Sequence, residues 1–528
     1  MDFNFISGQL LMIGFHGCEL NDDVMELIRS IKPSGIILFR RNIVDPFKLF
    51  NFIRDVQRYA LEHGLPPLIV SIDYEGGVVL RIERGATILP SFMGISANRR
   101  VSSVRIVARI AARELKAMGV NMNLAPVLDV NTNPVNPIIG VRSFGDDPLE
   151  VAVLGKAYIE ELQSHGIMAV AKHFPGHGDT SIDSHLDLPI LDLSLEDMLD
   201  RELVPFRAAI EAGVSSIMTA HIAYPKIDES GLPATLSRKI IADLLRSRLG
   251  FNGVVMTDAL EMKAIYDRFE PREIAELAIN AGVDLLLVSG DYNLMCEVKE
   301  AIWRGLESGI ISKSRVLESI NRINSLKERF GLHKWRFDES SLNIVGCSEH
   351  VSAINQIFSN SIVVVKNEGV IPLPIHVDSI GILIPDVLDR RLLRGFGAEL
   401  IESVLKDRCG DVVVASYPVN PELNDVRRAI SLVDNCSFKV LFTYNALLNK
   451  GQIDLVNETG DFDRLVVVAS RDPYDLMALG GVKCYVAVFG FLPPLVEPLF
   501  KVLFGEAERK GGLPVNINGF KRSRLHVD

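Results

Sequence analysis

Apolar runs of strand length alternate with amphipathic, helix-like segments through the first two thirds of the chain. The run 35–39 predicts a strand, and Asp45-Pro46 after it predicts a helix cap with proline in the first turn. Apolar residues then recur at helical spacing over 49–60, and Gly64 ends the predicted helix. The pattern therefore predicts a strand followed by a helix as the repeating unit of this part of the chain.

The same unit recurs. Further apolar runs predict strands at 68–72, 122–127, 167–171, 215–219, 254–257 and 283–288, and helical patterns lie between them, for example at 149–164, 238–249 and 272–281. Near-continuous apolar strands separated by amphipathic helices are typical of a parallel sheet that is covered on both faces. Roughly 330 residues of this repetition predict an α/β fold whose N-terminal part is a (β/α)8 TIM-type barrel.

A polar, irregular stretch at 333–343 follows the last helical pattern, and the strand–helix alternation then restarts. Apolar runs predict strands at 362–366, 380–384, 412–415, 440–443, 465–469 and 486–489. We expect a smaller three-layer α/β sandwich domain with a largely parallel sheet. The predicted division is a barrel domain over 1–335, a linker over 336–350 and a C-terminal domain over 351–528.

Composition narrows the class of protein. A chain of 528 residues is too long for one ordinary core, and 48% hydrophobic with 23% charged residues is typical of a globular protein. The net charge of −11 argues against a nucleic-acid partner, because phosphate binding needs a basic surface. We expect no membrane partner either, since no run approaches the roughly 20 apolar residues of a membrane span.

The six cysteines are scattered and have no CxxC spacing. Buried free thiols in a reducing compartment are the expectation for such a set. The N-terminus lacks the basic region of a signal peptide, and Gly14 interrupts the short apolar run at 10–15. These observations together predict a cytoplasmic protein.

Polar residues fall at or just after the ends of several predicted strands. These residues are Asp73, Asp129, Lys172-His173, His221 and Asp258. In a parallel barrel the carboxyl ends of the strands converge on one face, where active sites are built. One such residue could be a helix cap, but five of them predict a site.

The densest polar segment is the loop 172–185, which contains three histidines and two aspartates. One hypothesis is a metal site, since His and Asp are good ligands, but the first predicted strand lacks the HxH pair typical of barrel metallohydrolases. The other is a dyad of Asp183 and His185, since residues two apart in an extended segment point to the same side. A carboxylate can then orient the imidazole for proton transfer near neutral pH.

Asp258 ends the apolar run in GVVMTDAL, beside small residues that leave room for a ligand. A helix N-cap and a catalytic carboxylate are equally compatible with this local sequence. A retaining glycosidase needs one nucleophilic carboxylate and one proton donor roughly 5 Å apart across the scissile bond. With an acid/base on a neighbouring loop, Asp258 becomes a candidate nucleophile.

Asp73 and Arg81 lie in a third polar segment, and Arg142 lies in a fourth. Carboxylates at a strand end accept hydrogen bonds from hydroxyl groups, and arginine supplies several donors. We assign Glu75 to an ion pair in the turn that contains Gly76-Gly77. The pair Asp146-Asp147 before Pro148 is interpreted as a helix cap.

Together these motifs resemble family 3 glycoside hydrolases, specifically their β-N-acetylglucosaminidase branch, in bacteria. The loop KHFPGHGDT…DSH is the specific part. The resemblance covers most of 5–335 and continues more loosely through the second domain. The matching segments are 73–82, 123–131, 142–148, 220–225, 233–237 and 253–260, with 363–373, 472–476 and 503–515 in the second domain. Tyr74 and Val78 depart from the branch, which commonly shows Gln and Arg there.

The resemblance implies a retaining exo-β-N-acetylglucosaminidase that needs no cofactor and no metal. Asp258 would be the nucleophile and His185 the general acid/base, oriented by Asp183. The residues implied to hold the terminal sugar are Asp73, Arg81, Arg142, Lys172 and His173. The implied substrates are peptidoglycan- or chitin-derived fragments that carry N-acetylglucosamine.

Four alternatives stay open at this point. A neutral histidine base repels an anion less than a carboxylate would, so phosphate could replace water and make the enzyme a phosphorylase. A β-glucosidase would use the same chemistry on a sugar without the acetamido group. A metal-dependent barrel hydrolase would lose activity to a chelator, and a non-catalytic carbohydrate-binding protein would show no turnover.

Overall fold

The computed structural model describes residues 2–184, 186–387, 398–490 and 492–528. Its first part is a closed barrel of eight parallel strands in the order β1-β10-β9-β8-β7-β6-β3-β2. Two further short strands, β4 and β5, form an antiparallel hairpin after β3. The strands are β1 Leu11–Ile13, β2 Gly35–Leu38, β3 Ile69–Ile72, β4 Tyr74–Gly76, β5 Val79–Leu80, β6 Met122–Asn123, β7 Met168–Phe174, β8 Ser216–Thr219, β9 Val254–Ala259 and β10 Leu285–Val288.

Strand β1 was not among the strands that the sequence pattern predicts. It is three residues long and closes the barrel between β10 and β2, with Leu11 opposite Leu286 and Met12 opposite Gly35. A run of three residues is too short to show the period of two that marks a strand. The other seven barrel strands overlap the predicted runs, and the predicted fold class is confirmed.

Helices cover the outside of the barrel. Asp147 caps the helix after β6, where its side chain accepts a hydrogen bond from the Glu150 amide, which confirms the predicted cap. The α-helices are Phe3–Gln9, Asp22–Ile31, Pro46–Glu62, Phe92–Ser96, Val101–Ala117, Pro148–Ser164, Leu195–Asp200, Leu203–Glu211, Lys263–Tyr266, Pro271–Ala281, Tyr292–Ser308 and Lys313–Arg329. Short 3-10 helices lie at Arg40–Asn42, Gly140–Arg142, Ala234–Leu236 and Leu332–Lys334, and Lys239–Arg248 is a π-helix.

The second part of the chain contains a six-stranded sheet in the order β11-β16-β15-β14-β12-β13. All neighbours are parallel except β11 and β16. The strands are β11 Val363–Asn367, β12 Val377–Asp386, β13 Cys409–Pro418, β14 Phe438–Thr443, β15 Leu465–Ala469 and β16 Cys484–Ala487. The helices are Glu339–Ile344, Ser348–Asn360, Ala398–Leu405, Leu423–Val433, Gly451–Glu458, Pro473–Met477, Pro493–Leu495 and Val496–Leu503. Each strand overlaps a predicted apolar run, as expected for a smaller α/β domain.

The end of the chain returns to the barrel. The amide of His526 donates to the carbonyl of Arg99 at 2.8 Å, and the Arg522 guanidinium pairs with Asp146 at 3.0 Å and with Glu150 at 3.2 Å. These contacts tie the C-terminal residues to the starts of two barrel helices, Val101–Ala117 and Pro148–Ser164. The domain boundaries at 335 and 351 stay a prediction.

All six cysteines are free thiols; Cys409 and Cys484 are buried, and the other four are partly exposed. The expectation of buried thiols is therefore wrong for those four, of which Cys296 and Cys436 pack against the hydrophobic core while partly exposed. Across the described ranges, no helix combines the length and the hydrophobicity that crossing a bilayer requires.

Candidate active site

A cavity of about 480 Å³ opens at the carboxyl ends of the barrel strands. It receives side chains from the ends of β2, β3, β7, β9 and β10 and from the loops that follow them. Six of the residues singled out in the sequence line it together: Asp73, Arg81, Arg142, Lys172, His173 and Asp258. Their convergence follows from the parallel barrel, which brings strand ends that are distant in sequence to one face.

Lys172 and Asp73 form an ion pair in the wall of this cavity. Nζ of Lys172 lies 2.9 Å from Oδ1 of Asp73, and a guanidinium nitrogen of Arg81 lies 3.2 Å from Oδ2. Burial alone would raise the pKa of Asp73, but the two cations outweigh it and hold that pKa well below its usual value. Asp73 is therefore an ionised acceptor at neutral pH, placed where a sugar hydroxyl could donate to it.

Glu75 lies at the centre of the same network, which corrects its assignment to a local ion pair in the turn. Its Oε1 lies 2.7 Å from Nζ of Lys172, and its two oxygens accept hydrogen bonds from Nε and Nη2 of Arg142, each at 2.9 Å. Against the effect of burial, Arg142 and Lys172 lower the pKa of Glu75. Nothing in the local sequence indicates this role, because the partners Arg142 and Lys172 lie 67 and 97 positions away.

Asp129 orients the two histidines that begin the polar loop. Its Oδ2 lies 2.7 Å from Nδ1 of His173, and its Oδ1 accepts hydrogen bonds from the amides of His173 at 3.1 Å and His177 at 2.7 Å. Burial would raise the pKa of Asp129, but the nearby histidines lower it. When Asp129 accepts a hydrogen bond from Nδ1–H of His173, the other ring nitrogen, Nε2, is left to face the cavity.

His177 is buried and makes hydrogen bonds within the polar loop. Its Nδ1 lies 2.8 Å from Oγ1 of Thr180, and its Nε2 lies 3.1 Å from Oγ of Ser184. Burial, with the nearby His173, lowers the pKa of His177 from 6.5 to about 4. His177 is therefore neutral at physiological pH and serves to fix the loop rather than to carry charge.

Asp258 lies within β9, and the next helix begins only at Lys263, so the helix-cap interpretation of Asp258 is wrong. Its Oδ1 accepts a hydrogen bond from the amide of Ala259 at 2.7 Å. Burial would raise the pKa of Asp258, but His173, His221 and that amide together lower it. An ionised carboxylate in a cavity lined by sugar-binding side-chain types can act as a nucleophile.

His221 lies close to Asp258. Its Nδ1 lies 2.7 Å from Oγ1 of Thr235, and its Nε2 lies 3.0 Å from the carbonyl of Ala259. The histidine therefore contacts the residue that follows Asp258, at the end of β9. It was noted in the sequence as a strand-end residue, and the structure places it beside the candidate nucleophile.

Described residues of the loop that carries the predicted dyad line the cavity. Ser184 lines the cavity, and the carbonyl of Asp183 accepts hydrogen bonds from the amides of Leu186 at 2.9 Å and Asp187 at 3.1 Å. His185 lies outside the described residues. The dyad of Asp183 and His185 therefore stays a prediction.

Several residues that line the cavity were not singled out in the sequence. Glu261 accepts a hydrogen bond from the amide of Gly290 at 2.8 Å, which joins the loops after β9 and β10. Phe39 lies at the end of β2, and the guanidinium carbon of Arg41 is 4.4 Å from the centre of its ring. The sequence signals for these residues are weak: Phe39 is the last residue of the predicted strand 35–39, and Glu261 follows the predicted strand 254–257 by four positions.

A metal site was one of the alternatives. In the part of the chain that the structure describes, no three His, Cys, Asp or Glu side chains are placed so that they could hold a metal ion together. The nearby acidic and basic side chains are instead paired with one another, as Lys172 is with Asp73 and Glu75.

Comparisons with known proteins identify related sequences and structures. A family model described as the N-terminal domain of glycosyl hydrolase family 3 matches residues 6–326. Beta-hexosaminidase A of Pseudoalteromonas piscicida is 29% identical over 94% of this chain and 92% of its own length. A beta-hexosaminidase of Tolumonas auensis is 36% identical over 59% of this chain and 90% of its own length.

A similar solved structure covers both domains. It is described as a glycoside hydrolase family 3 beta-N-acetylglucosaminidase from Paenibacillus, and it is 36% identical with a TM-score of 0.92. The match covers 98% of this chain and 99% of that one. The similarity therefore extends through the barrel and the second sheet together.

Proposed function

Because the chain belongs to glycosyl hydrolase family 3, in its bacterial β-hexosaminidase branch, we propose that it removes terminal β-linked N-acetylglucosamine with retention of configuration. The observation that carries this proposal is Asp258, a carboxylate with a lowered pKa in a cavity lined by ion-paired polar residues. A retaining mechanism needs an ionised carboxylate beside the anomeric carbon.

The reaction would proceed in two displacements. Asp258 attacks the anomeric carbon while protonated His185, oriented by Asp183, gives its proton to the oxygen of the leaving group, and the glycosidic bond breaks. His185, now neutral, then takes a proton from water as the water attacks the anomeric carbon. The bond to Asp258 breaks, and the sugar leaves with the configuration that it had in the substrate.

The charged network that lines the cavity would position the sugar; its members are Asp73, Glu75, Arg81, Arg142 and Lys172. Asp73 offers a carboxylate to sugar hydroxyls, while Arg81, Arg142 and Lys172 are hydrogen-bond donors. His173, held by Asp129, lines the same cavity and helps to lower the pKa of Asp258. These fixed charges require little reorganisation when positive charge develops on the sugar ring.

The source of the substrate is a finer proposal. Peptidoglycan turnover fragments or chitin-derived oligosaccharides both end in β-linked N-acetylglucosamine, and the relative in Paenibacillus is described as a β-N-acetylglucosaminidase. We place the enzyme in the cytoplasm, where its six free thiols are compatible with a reducing environment.

Substrate preference tests the proposal. Purified protein is incubated with nitrophenyl N-acetyl-β-glucosaminide and, separately, with nitrophenyl β-glucoside, and kcat/KM is compared. We expect the acetamido sugar to be preferred by about tenfold or more, since each lost polar contact costs roughly that much. Equal turnover or a preference for glucoside would replace this proposal by the β-glucosidase alternative.

The acceptor is tested in the same assay by adding phosphate. If water is the acceptor, as proposed, the product is free N-acetylglucosamine at every phosphate concentration. Accumulation of a sugar 1-phosphate would instead identify a phosphorylase, in which a neutral histidine base allows the anion to approach.

A further inference from the structure

A loop of the second domain contacts a turn that carries one of the residues lining the catalytic cavity. This loop follows β15 and begins the short helix Pro473–Met477. Asp472 is buried there, and its Oδ1 accepts a hydrogen bond from the amide of Val141 at 2.7 Å. Val141 belongs to the barrel, in the turn Gly140–Arg142. A carboxylate of one domain thus holds a backbone amide of the other.

The fit between loop and turn is close. A Cβ atom on Gly140 would lie 2.2 Å from Oδ1 of Asp472, so a larger residue there would push the carboxylate away. On its other side Asp472 is fixed by Asn445, whose Nδ2 donates to Oδ2 at 2.8 Å and whose Oδ1 accepts from the Asp472 amide at 3.0 Å. The carboxylate therefore has one orientation, aimed at the turn.

A second contact from the same loop holds the start of the turn. The amide of Gly140 donates to Oδ1 of Asn131 at 3.0 Å, and Nδ2 of Asn131 donates to the hydroxyl of Tyr474 at 3.0 Å. Two successive amides of the turn are thus held by the second domain, one directly by Asp472 and one through Asn131. All of these groups are buried, which makes the loss of any of them costly.

The turn carries Arg142 into the cavity. The guanidinium of Arg142 binds both oxygens of Glu75, and Glu75 in turn binds Lys172. We propose that Asp472 is a positioning residue of the active site, through which the second domain fixes the backbone of the turn and so the place of Arg142. This proposal rests on the proposed function only in assigning substrate contact to Arg142.

Two variants of the full chain test this. Asp472→Ala removes the acceptor, so Arg142 loses its place and KM for the N-acetylglucosaminide rises about 10- to 100-fold, with a smaller change in kcat. Asp472→Asn keeps an oxygen for the Val141 amide but turns an amide nitrogen toward Nδ2 of Asn445, so its KM is expected to lie between those of the wild type and Asp472→Ala. Asp463→Asn, the same charge change at an exposed ion pair of the second domain, is the matched control and stays at the wild-type value.

A double-mutant cycle between Asp472 and Arg142 distinguishes a positioning role of Asp472 from a general loss of structure. If Asp472 acts through Arg142, then Asp472→Ala has little further effect on kcat/KM once Arg142 is replaced by Met, because the two changes remove one interaction. Additive losses would overturn the proposal. If Asp472→Ala does not fold, as judged by thermal unfolding, Tyr474→Phe removes a single hydroxyl and is expected to raise KM in the same direction, again not additively with Arg142→Met.

Amide hydrogen exchange gives a readout that needs no substrate. Peptides containing the turn 139–142 exchange faster in Asp472→Ala than in Asp472→Asn or the control. Unchanged exchange with unchanged KM in folded Asp472→Ala would contradict the proposal. A wild-type protein that cleaves neither glycoside, but whose turn exchanges faster in Asp472→Ala, would reject the proposed function and leave the positioning role standing.

Discussion

Nζ of Lys172 lies 2.7 Å from Oε1 of Glu75, and both side chains are buried in the wall of the catalytic cavity. The contact joins β7 to the hairpin after β3 and completes a row of alternating charges that runs from Arg142 to Arg81. A buried carboxylate between two cations stabilises both, and its removal breaks the ion pair of Arg142 and leaves Lys172 paired with Asp73.

Glu75→Gln is therefore expected to lower kcat/KM strongly, although Glu75 takes no part in the proposed bond-breaking steps. Arg142 and Lys172 keep their charges but lose the anion that aligns them, and kcat/KM falls by about 100-fold. Steady-state kinetics on the N-acetylglucosaminide measure the change. Glu161→Gln, which breaks a partly buried ion pair with Arg109 outside the cavity, is the control. Equal losses in the two variants would contradict a role for Glu75 in the site.

His177 makes stability depend on pH in a narrow window. Its pKa is about 4 in the folded protein against 6.5 ordinarily, so the unfolded chain binds a proton between these values and the folded protein does not. The contribution of His177 to stability is complete above 6.5 and falls as pH decreases toward 4, by about 3 kcal/mol in total. Urea unfolding at several pH values measures it.

A His177→Gln variant gives the comparison for that slope. Glutamine does not titrate, so its free energy of unfolding should change less between pH 6.5 and 4 than that of the wild type. Identical slopes for the two proteins would show that His177 is protonated alike in folded and unfolded chains, contrary to its buried contacts.

Lys327 is expected to cost stability rather than provide it. It is buried in the helix Lys313–Arg329, and its Nζ has no hydrogen-bond partner within the described part of the chain. Burial lowers the pKa of Lys327 from 10.5 to about 7. The unfolded chain therefore binds a proton that the folded protein gives up, and stability rises with pH from 7 to 10.5.

Lys327→Met removes this cost while keeping the aliphatic length of the side chain. At pH 7 the variant is expected to be more stable by about 4 kcal/mol and at pH 9 by about 2 kcal/mol, because the penalty accumulates as pH falls from 10.5 to 7 and changes little below 7. Thermal unfolding at the two pH values measures the difference. A variant less stable than the wild type at both would mean that Nζ has a partner after all.

Chelation separates the proposed mechanism from the metal-dependent alternative. The two-step reaction uses only side chains and water, so EDTA should leave kcat and KM on the N-acetylglucosaminide unchanged. Activity that is lost on chelation and restored by adding a divalent metal would revive the metal-dependent hydrolase.

The sequence predicted the fold well because each barrel strand except β1 is an apolar run flanked by helical patterns. It also predicted which strand ends meet, since parallel topology alone brings Asp73, His173 and Asp258 to one face. Strand β1 was missed because three residues show no periodicity.

Contacts between residues far apart in sequence could not be predicted in the same way. Glu75 was assigned to its own turn because nothing near it indicates Lys172 or Arg142 as partners. The contact of Asp472 with Val141 joins residues 331 positions apart, so only the folded chain reveals it. A contact between residues of two different domains leaves no recognisable pattern in the sequence around either residue.

The central claim is that Asp258 forms a covalent bond to the sugar. A fluorinated N-acetylglucosamine glycoside with a good leaving group, chosen so that the second displacement is slow, traps this species for intact-protein mass spectrometry. The account predicts a mass increase of one fluorinated glycosyl group, located in the peptide that contains Asp258. The adduct is absent in Asp258→Asn and present in Asp243→Asn, an exposed control on the outer face. An adduct on another residue, or turnover that survives in Asp258→Asn, would contradict the account.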